Sequence, residues 1–344
     1  MSETVAGSTV AVLMGGRSGE RAVSLDSGRG VARALADASL AGRGPGKVRA
    51  VEIDADGSWR VDERALSPAE GVRALADVDQ FFIALHGGQG EDGTLQGLLE
   101  SEGRCYTGSD VATSALAMDK VFARELLACQ GLRVARGKVV TAADWRADRA
   151  GVLDRCRRLV SMGWVVKPRR GGSSVDVARL WEAAELEPAI EAVLATGEEA
   201  LVESGLEGVE LTCGVLGNRG ESLRALTPVE IRPAEGRFFD YQQKYAADGA
   251  EELCPPRNAD AAACEAVRER ALRAHEHLRC DGYSRSDFIL PHGEREPVFL
   301  ELNTAPGMTA RSLLPQAAAH DGLSFPELCL AILEAGARRH ARAG

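Results

Sequence analysis

The stretch 297-PVFLELNTAPGMT-309 opens as an apolar run, Val298 to Leu300, and reads as a buried strand. Glu301 and Asn303 follow two positions apart, and Pro306-Gly307 comes next. Residues i and i+2 of a strand share a face, so this strand aims a carboxylate and an amide oxygen at one place. A second run, 283-YSRSDFIL-290, sets Arg285 and Asp287 two apart in the same way. If the two strands pair, Asp287, Glu301 and Asn303 converge beside Arg285. Three hard oxygen donors suit Mg²⁺, which takes carboxylates, water and substrate phosphate. Arg285 cannot ligate a metal, but it can hold a phosphate or a developing negative charge. A metal between an acidic cluster and a phosphate is the arrangement of phosphoryl transfer. A salt-bridged strand pair gives the same pattern, and these residues alone leave both readings open.

A nucleotide would need a phosphate-holding segment, and the chain has no G-x-x-x-x-G-K-[ST] loop. Lys167 instead ends an apolar run in 164-WVVKPRRGGSSVD-176, and Pro168 biases it toward extended backbone. Gly171, Gly172, Ser173 and Ser174 follow, a loop rich in N–H and hydroxyl donors that can fold over phosphates.

The totals bound the class. A chain of 344 residues is too long for one compact core, so two or three domains are expected. Hydrophobic residues make up 45% and charged residues 27%, ordinary for a soluble globular protein. The net charge of −10 argues against a general nucleic-acid binder. The eight cysteines form no C-x-x-C pair, which points to reduced thiols. The opening MSETVAGS is polar, and no apolar run approaches the ~20 residues of a membrane span. The expected location is the cytoplasm, with no membrane partner.

Strand and helix signals alternate through the first third: strands at Thr9 to Met14, Val48 to Ile53 and Gln80 to Leu85, with a helix at about Ser27 to Ala36. Such alternation predicts a mostly parallel sheet with ligands at the strand C-terminal ends, where 15-GGRSGERAVS-24 and 86-HGGQGEDGT-94 lie. Strands at Glu210 to Leu216, Ala225 to Ile231, Tyr283 to Leu290 and Val298 to Asn303 predict an antiparallel-rich sheet in the last third. Helices are expected at about Ala259 to Leu278 and at Phe325 to Ala337. The chain thus reads as α/β, becoming α+β in its C-terminal half.

Six blocks carry a resemblance over nearly the whole chain: 13-LMGGRSGERAVSLDSG-28, 82-FIALHGGQGEDGTLQGLLE-100, 106-YTGSDVATSALAMDK-120, 165-VVKPRRGGSSV-175, 239-FDYQQKYAADGAEELCP-255 and 300-LELNTAPGMTARSL-313. The chain resembles the D-alanine–D-alanine ligases of the ATP-grasp superfamily. The resemblance implies an ATP-grasp fold preceded by a parallel-sheet N-terminal domain. It implies a substrate-binding domain over 1–118, a central lid domain over 119–208 and a catalytic domain over 209–344. It further implies two D-alanines and ATP as substrates, an acyl phosphate intermediate, two Mg²⁺ ions that Mn²⁺ can replace, and a homodimer. The product would be D-alanyl-D-alanine for peptidoglycan precursors. A related ligase taking D-serine, D-lactate or another amino acid, or an ATP-binding homologue without turnover, is the alternative.

Roles follow by resemblance. Lys120, Lys167 and Ser174 look like ATP phosphate contacts; Glu203, Ser204 and Leu206 resemble the adenine hinge, and Glu210 the ribose carboxylate. Asp287, Glu301 and Asn303 look like the metal ligands. Arg285 and the Gly307 N–H resemble the groups that steady the tetrahedral intermediate. Glu20, Val23 and His86 match the first D-alanine site; Ser312 and Leu313 match the second. Ser173, Tyr245 and Glu20 resemble a hydrogen-bonded trio, and Lys244 would meet the transferring phosphate. Four positions depart from the family pattern: Arg169, Asp176, Ala22 and Phe239. Arg169 would add a phosphate contact or crowd the loop.

Overall fold

The computed structural model describes residues 5–159, 162–171, 177–232 and 250–343. Ser173, Ser174, Asp176, Phe239, Lys244 and Tyr245 lie outside the described residues. The described strands form three sheets, one after another along the chain.

The first sheet contains β1 (Thr9–Gly15), β2 (Lys47–Ile53), β3 (Trp59–Val61), β4 (Arg64–Leu66), β5 (Gln80–Ile83) and β6 (Cys105–Tyr106), in the order β4-β3-β2-β1-β5-β6. Strand β1 runs parallel to both neighbours, and β5 runs parallel to β6. A central parallel strand is buried on both faces, and the side-chain period of two decides which face each residue serves. Val10, Val12 and Met14 pack with Val31 and Leu35 of the helix Arg21–Leu40 and with Leu328 and Ile332 of the helix Phe325–Ala343. Ala11 and Leu13 face the other way, toward Phe81, Ile83, Leu95 and Leu99. Each such fully buried leucine contributes about 1.5–3 kcal/mol of transfer free energy. Because β2 and β5 flank β1 on opposite sides, the strand ends open a crevice there.

The second sheet holds β7 (Gly137–Val140), β8 (Trp164–Pro168), β9 (Ala178–Leu180) and β10 (Ala200–Ser204), in the order β7-β10-β8-β9 with antiparallel neighbours. The third holds β11 (Gly208–Leu216), β12 (Arg224–Ala225), β13 (Val229–Arg232), β14 (Glu251–Leu253), β15 (Tyr283–Pro291) and β16 (Val298–Asn303). Its order is β14-β13-β11-β15-β16, with β12 beside β11. The helix Ala261–His277 lays Val267, Ala271 and Ala274 against Leu211, Cys213 and Phe288 of this sheet.

Three expectations change. The strand expected over Ala225 to Ile231 is two strands, β12 and β13. Pro228 between them has no N–H for a ladder, and the Leu226 and Thr227 N–H groups go to Gly214 O and to Asp321. The first helix begins at Arg21 rather than about Ser27, so Glu20 stands at its N-cap position. The last helix runs on to Ala343 rather than stopping near Ala337.

Candidate active site

The expected pairing of the two strands is present. Strands β15 and β16 are antiparallel, with Asp287 opposite Glu301 and Arg285 opposite Asn303. Arg285 grips Asp287 with two N–H groups, Nε to Oδ1 at 2.9 Å and Nη2 to Oδ2 at 2.8 Å. Thr212 Oγ1 on β11 also donates to Oδ1, at 2.6 Å, and Asn303 Nδ2 donates to Oδ2 at 3.3 Å. A forked guanidinium–carboxylate pair is strong and directional. It fixes both side chains on a β-sheet face rather than on a loop.

A cavity of about 120 Å³ opens over this face. From the first sheet come Glu20 and His86; from the third, Glu210, Arg285, Asp287 and Asn303; from the segment after β16, Gly307, Ser312 and Leu313. Nine candidate site residues thus line one space. Lys120 and Glu301 line a smaller adjoining space, with Asn303 and Glu91 on the boundary between the two. Val23 is half-buried in the first turn of the helix Arg21–Leu40 and is not among the lining residues of either space.

Two glycines make the close approaches possible. A Cβ on Gly87, whose φ is +67°, would stand 2.5 Å from Glu20 Oε2. A Cβ on Gly307 would stand 2.7 Å from Ser312 Oγ. Any side chain at either position would displace a group that lines the cavity.

His86 is buried and fully engaged. Its Nδ1 meets the Ala305 carbonyl at 3.0 Å, so Nδ1 carries the proton, and Nε2 accepts from Ser27 Oγ at 2.8 Å. Burial pushes the imidazole pKa down to about 4, so the ring is neutral at pH 7. Ser27 Oγ in turn accepts the Met308 N–H at 3.3 Å. Ser27 and His86 therefore clamp the segment Ala305 to Met308, which contains Gly307, from the first sheet's side.

Ser312 precedes the helix Leu313–His320 at its N-cap position. The free N–H groups of a helix start favour a carboxylate. Arg311 lines the same end of the cavity.

The lysines are placed by buried charge. Lys120 donates to Gly171 O, and its Nζ lies 3.9 Å from Glu301. Burial lowers its pKa, and Glu301 counters that shift. Lys167 Nζ pairs with Glu203 at 2.7 Å, and Glu203 also meets Arg124 at 2.5 Å. Ser204 is buried beside Glu203 on β10, and the Leu206 carbonyl accepts from Arg179 at 2.8 Å.

Arg169 corrects its expectation. Its Nε binds both oxygens of Asp119, at 2.9 and 2.8 Å, and its Nη1 reaches Glu199 at 2.7 Å. The guanidinium is committed to carboxylates rather than offered to a phosphate. Asp119 caps the helix Lys120–Cys129 through Val121 N and Phe122 N, so Arg169 steadies the helix that carries Lys120.

Glu91 was not singled out from the sequence. It is buried, and burial with the Glu20 carboxylate nearby pushes its pKa up to about 8. Its signal was an acidic residue in a glycine-rich loop leaving a parallel strand. Thr212, which supports Asp287 from the middle of an apolar strand, gave no signal.

The donor set is of the kind Mg²⁺ takes. Two carboxylates and an amide oxygen are hard ligands of the right kind, held on adjacent strands. Among the described residues no cluster of three or more His, Cys, Asp or Glu is suited to a metal. Two carboxylates and one amide leave the other positions of such an ion to phosphate and water.

Comparison with known proteins agrees with this geometry. Residues 126–334 match the family described as D-ala D-ala ligase C-terminus, and residues 63–109 match D-ala D-ala ligase N-terminus. The chain is 39% identical over 335 residues to the D-alanine--D-alanine ligase of Delftia acidovorans, covering 95% of this chain and 92% of that one. It is 40% identical over 322 residues to that of Gluconobacter oxydans, covering 93% and 96%. Among solved structures it is similar to the VanG D-Ala:D-Ser ligase from Enterococcus faecalis, with a TM-score of 0.80, 28% identity, and 96% and 99% of the two chains covered. It is also similar to the D-alanine--D-alanine ligase from Bacillus anthracis complexed with ATP, with a TM-score of 0.78, 29% identity, and 98% and 99% covered.

A lysine-bearing antiparallel sheet and an acidic antiparallel sheet, preceded by a sheet with a parallel centre and an antiparallel edge, make up the ATP-grasp fold. The match covers nearly the full length of its relatives. The chain belongs to the D-alanine–D-alanine ligase family.

Proposed function

We propose that this protein joins two D-alanines, using ATP, through a D-alanyl phosphate, and so supplies D-alanyl-D-alanine for peptidoglycan precursors. The observation that carries the reading is the convergence of Glu20, Arg285, Gly307 and Ser312, from distant parts of the chain, on one cavity beside two carboxylates.

Glu20 holds the ammonium of the first D-alanine, with the neutral His86 beside it and Val23 in the helix turn that follows Glu20. Lys120 and Lys167 take ATP phosphates, Glu203, Ser204 and Leu206 read the adenine, and Glu210 takes the ribose. Asp287, Glu301 and Asn303 hold Mg²⁺, which when bound neutralises phosphate charge; Mn²⁺ can replace it. The carboxylate oxygen of the first D-alanine attacks the γ-phosphorus, and ADP leaves. The second D-alanine is held by its carboxylate at Ser312 and Leu313, at the helix start. Its amine then attacks the acyl carbon, and phosphate leaves with the former carboxylate oxygen. Arg285 and the Gly307 N–H face the negative charge that develops on the acyl oxygen. Ser173, Ser174, Lys244 and Tyr245, outside the described residues, are assigned to loops that cover the reaction and exclude water.

The three sheets support domains at 1–118, 119–208 and 209–344. Among the described residues no helix is long and apolar enough to cross a membrane. A homodimer in the cytoplasm is the assembly and location we assign.

The test is phosphate release from ATP with D-alanine alone, then with D-serine or D-lactate added, and products identified by mass. D-Alanyl-D-alanine from D-alanine alone supports the reading; ATP binding without dipeptide overturns it. Glu301→Gln is expected to abolish turnover with the fold intact. Normal activity and a normal Mg²⁺ dependence in that variant would refute the metal assignment.

A further inference from the structure

A second cavity, of about 500 Å³, lies where the edge of the first sheet meets the last helix. It shares no lining residue with the catalytic cavity. Four arginines line it: Arg104 just before β6, Arg219 in the loop after β11, and Arg339 and Arg342 on the helix Phe325–Ala343. His340 stands among them. Arg339, His340 and Arg342 all follow residue 334, where the C-terminal family match ends.

Carboxylates satisfy two members of this set and leave two short. Arg219 pairs with Asp110 at 2.9 Å and with the buried Asp281 at 3.4 Å, and Arg342 pairs with Asp281 at 2.9 Å. Arg104 has no ion pair among the described residues; it donates to the carbonyls of Leu75 and Val78. Arg339 is more than nine-tenths buried, at 8% exposure, and stacks 4.0 Å from the Tyr106 ring. Its hydrogen bonds to Tyr106 Oη and Tyr106 O are both 3.3 Å, and Glu100, whose oxygen already accepts from Tyr106 Oη, is 3.9 Å away. Its Nε has no hydrogen-bond partner among the described residues. A buried guanidinium with one N–H unmet is costly unless an anion arrives.

We propose that this cavity binds a small phosphate-bearing anion, with Arg339 at its base and Arg104 and Arg342 on its walls. Guanidinium forks meet phosphate oxygens in pairs, and a phosphate offers three acceptor oxygens to donors approaching from separate segments, where a carboxylate offers two. The ligand ties the first sheet's edge to the last helix.

The test is equilibrium dialysis of the full chain against radiolabelled pyrophosphate, and separately against glycerol 3-phosphate, at matched ionic strength in chloride. The half-exposed Arg342→Gln and Arg104→Gln variants are used because Arg339→Met, at a buried position, can fail to fold. Saturable binding that weakens at least tenfold in both variants, with kcat and the KM for ATP unchanged, is the expected result. Tighter binding of glycerol 3-phosphate makes the ligand an organic ester, and tighter binding of pyrophosphate makes it inorganic. No saturable binding, or binding equal to wild type in both variants, overturns the proposal.

Discussion

Lys167 and Glu203 meet diagonally across the β8–β10 pair, with Nζ 2.7 Å from the carboxylate and both side chains buried. Arg124 completes the group from the other side of Glu203. Removing one member of such a buried set leaves a charge without compensation, which costs about 3–5 kcal/mol. Glu203→Gln is therefore expected to lower the urea unfolding free energy by roughly 3 kcal/mol. It is also expected to raise the KM for ATP, since Lys167 loses its anchor. A variant as stable as the parent would mean the triad is not a structural unit.

Ser27 touches no proposed substrate position, yet it joins His86 to Met308. Losing this buried hydroxyl leaves two polar groups unmet, at about 1–3 kcal/mol. Ser27→Ala is expected to lower kcat by about tenfold, a change of ~1.4 kcal/mol in the barrier, through slack in the turn carrying Gly307. The KM for ATP stays unchanged. Steady-state kinetics decide it, and a shift in the KM for ATP alone would count against the clamp.

Arg169 acts on Lys120 through Asp119. Loss of a helix cap costs typically ~1 kcal/mol; without Arg169 the cap residue Asp119 keeps only the 3.3 Å contact to Arg170 as its ion pair and is held less firmly. Arg169→Ala should raise the KM for ATP several-fold, and Arg169→Lys should restore only part of it because lysine cannot reproduce the fork. Equal kinetics in all three proteins would remove Arg169 from any positioning role.

Two buried histidines give the acid limb of stability. His86 and His275 have folded-state pKa values pushed down to about 4 by burial, below the ordinary 6.5. Unfolding takes up their protons, so the stability they permit is complete above pH 6.5 and falls as pH drops toward 4. His275 is held by Ser284 Oγ at 2.8 Å. Glu91 acts in the opposite sense. Its folded pKa is raised, so its contribution is full below about pH 4.5 and is lost as pH rises through about 8. Urea unfolding of Glu91→Gln and wild type at pH 5 and pH 8 checks this: the variant is expected to gain relative stability at pH 8. A pH-independent difference would show that Glu91 is ionised in both states.

The catalytic strands were legible because their chemistry is local. Glu301–Asn303 and Arg285–Asp287 each fit a period of two, and apolar neighbours fix the face. Parallel order in the first sheet was legible from alternation, as was the crevice at its strand ends. The hairpin of β3 and β4 and the helix Leu313–His320 were not read, being short and without strong periodicity. Arg169 was misread because a basic residue beside a phosphate loop suggests an anion, and only the fold reveals Asp119 and Glu199 next to it. Ser27, Thr212 and Glu91 depend on contacts between distant segments, which no local pattern encodes.

The hydrogen bond from Met308 N to Ser27 Oγ spans 281 positions of chain. During synthesis, the helix bearing Ser27 emerges early and has nothing to clamp until the final stretch leaves the ribosome. An interrupted chain lacks both this bond and the last helix, whose Leu328 and Ile332 cover one face of the first sheet. The turn that carries Gly307 is thereby assembled only after both the early helix and the late segment have been made.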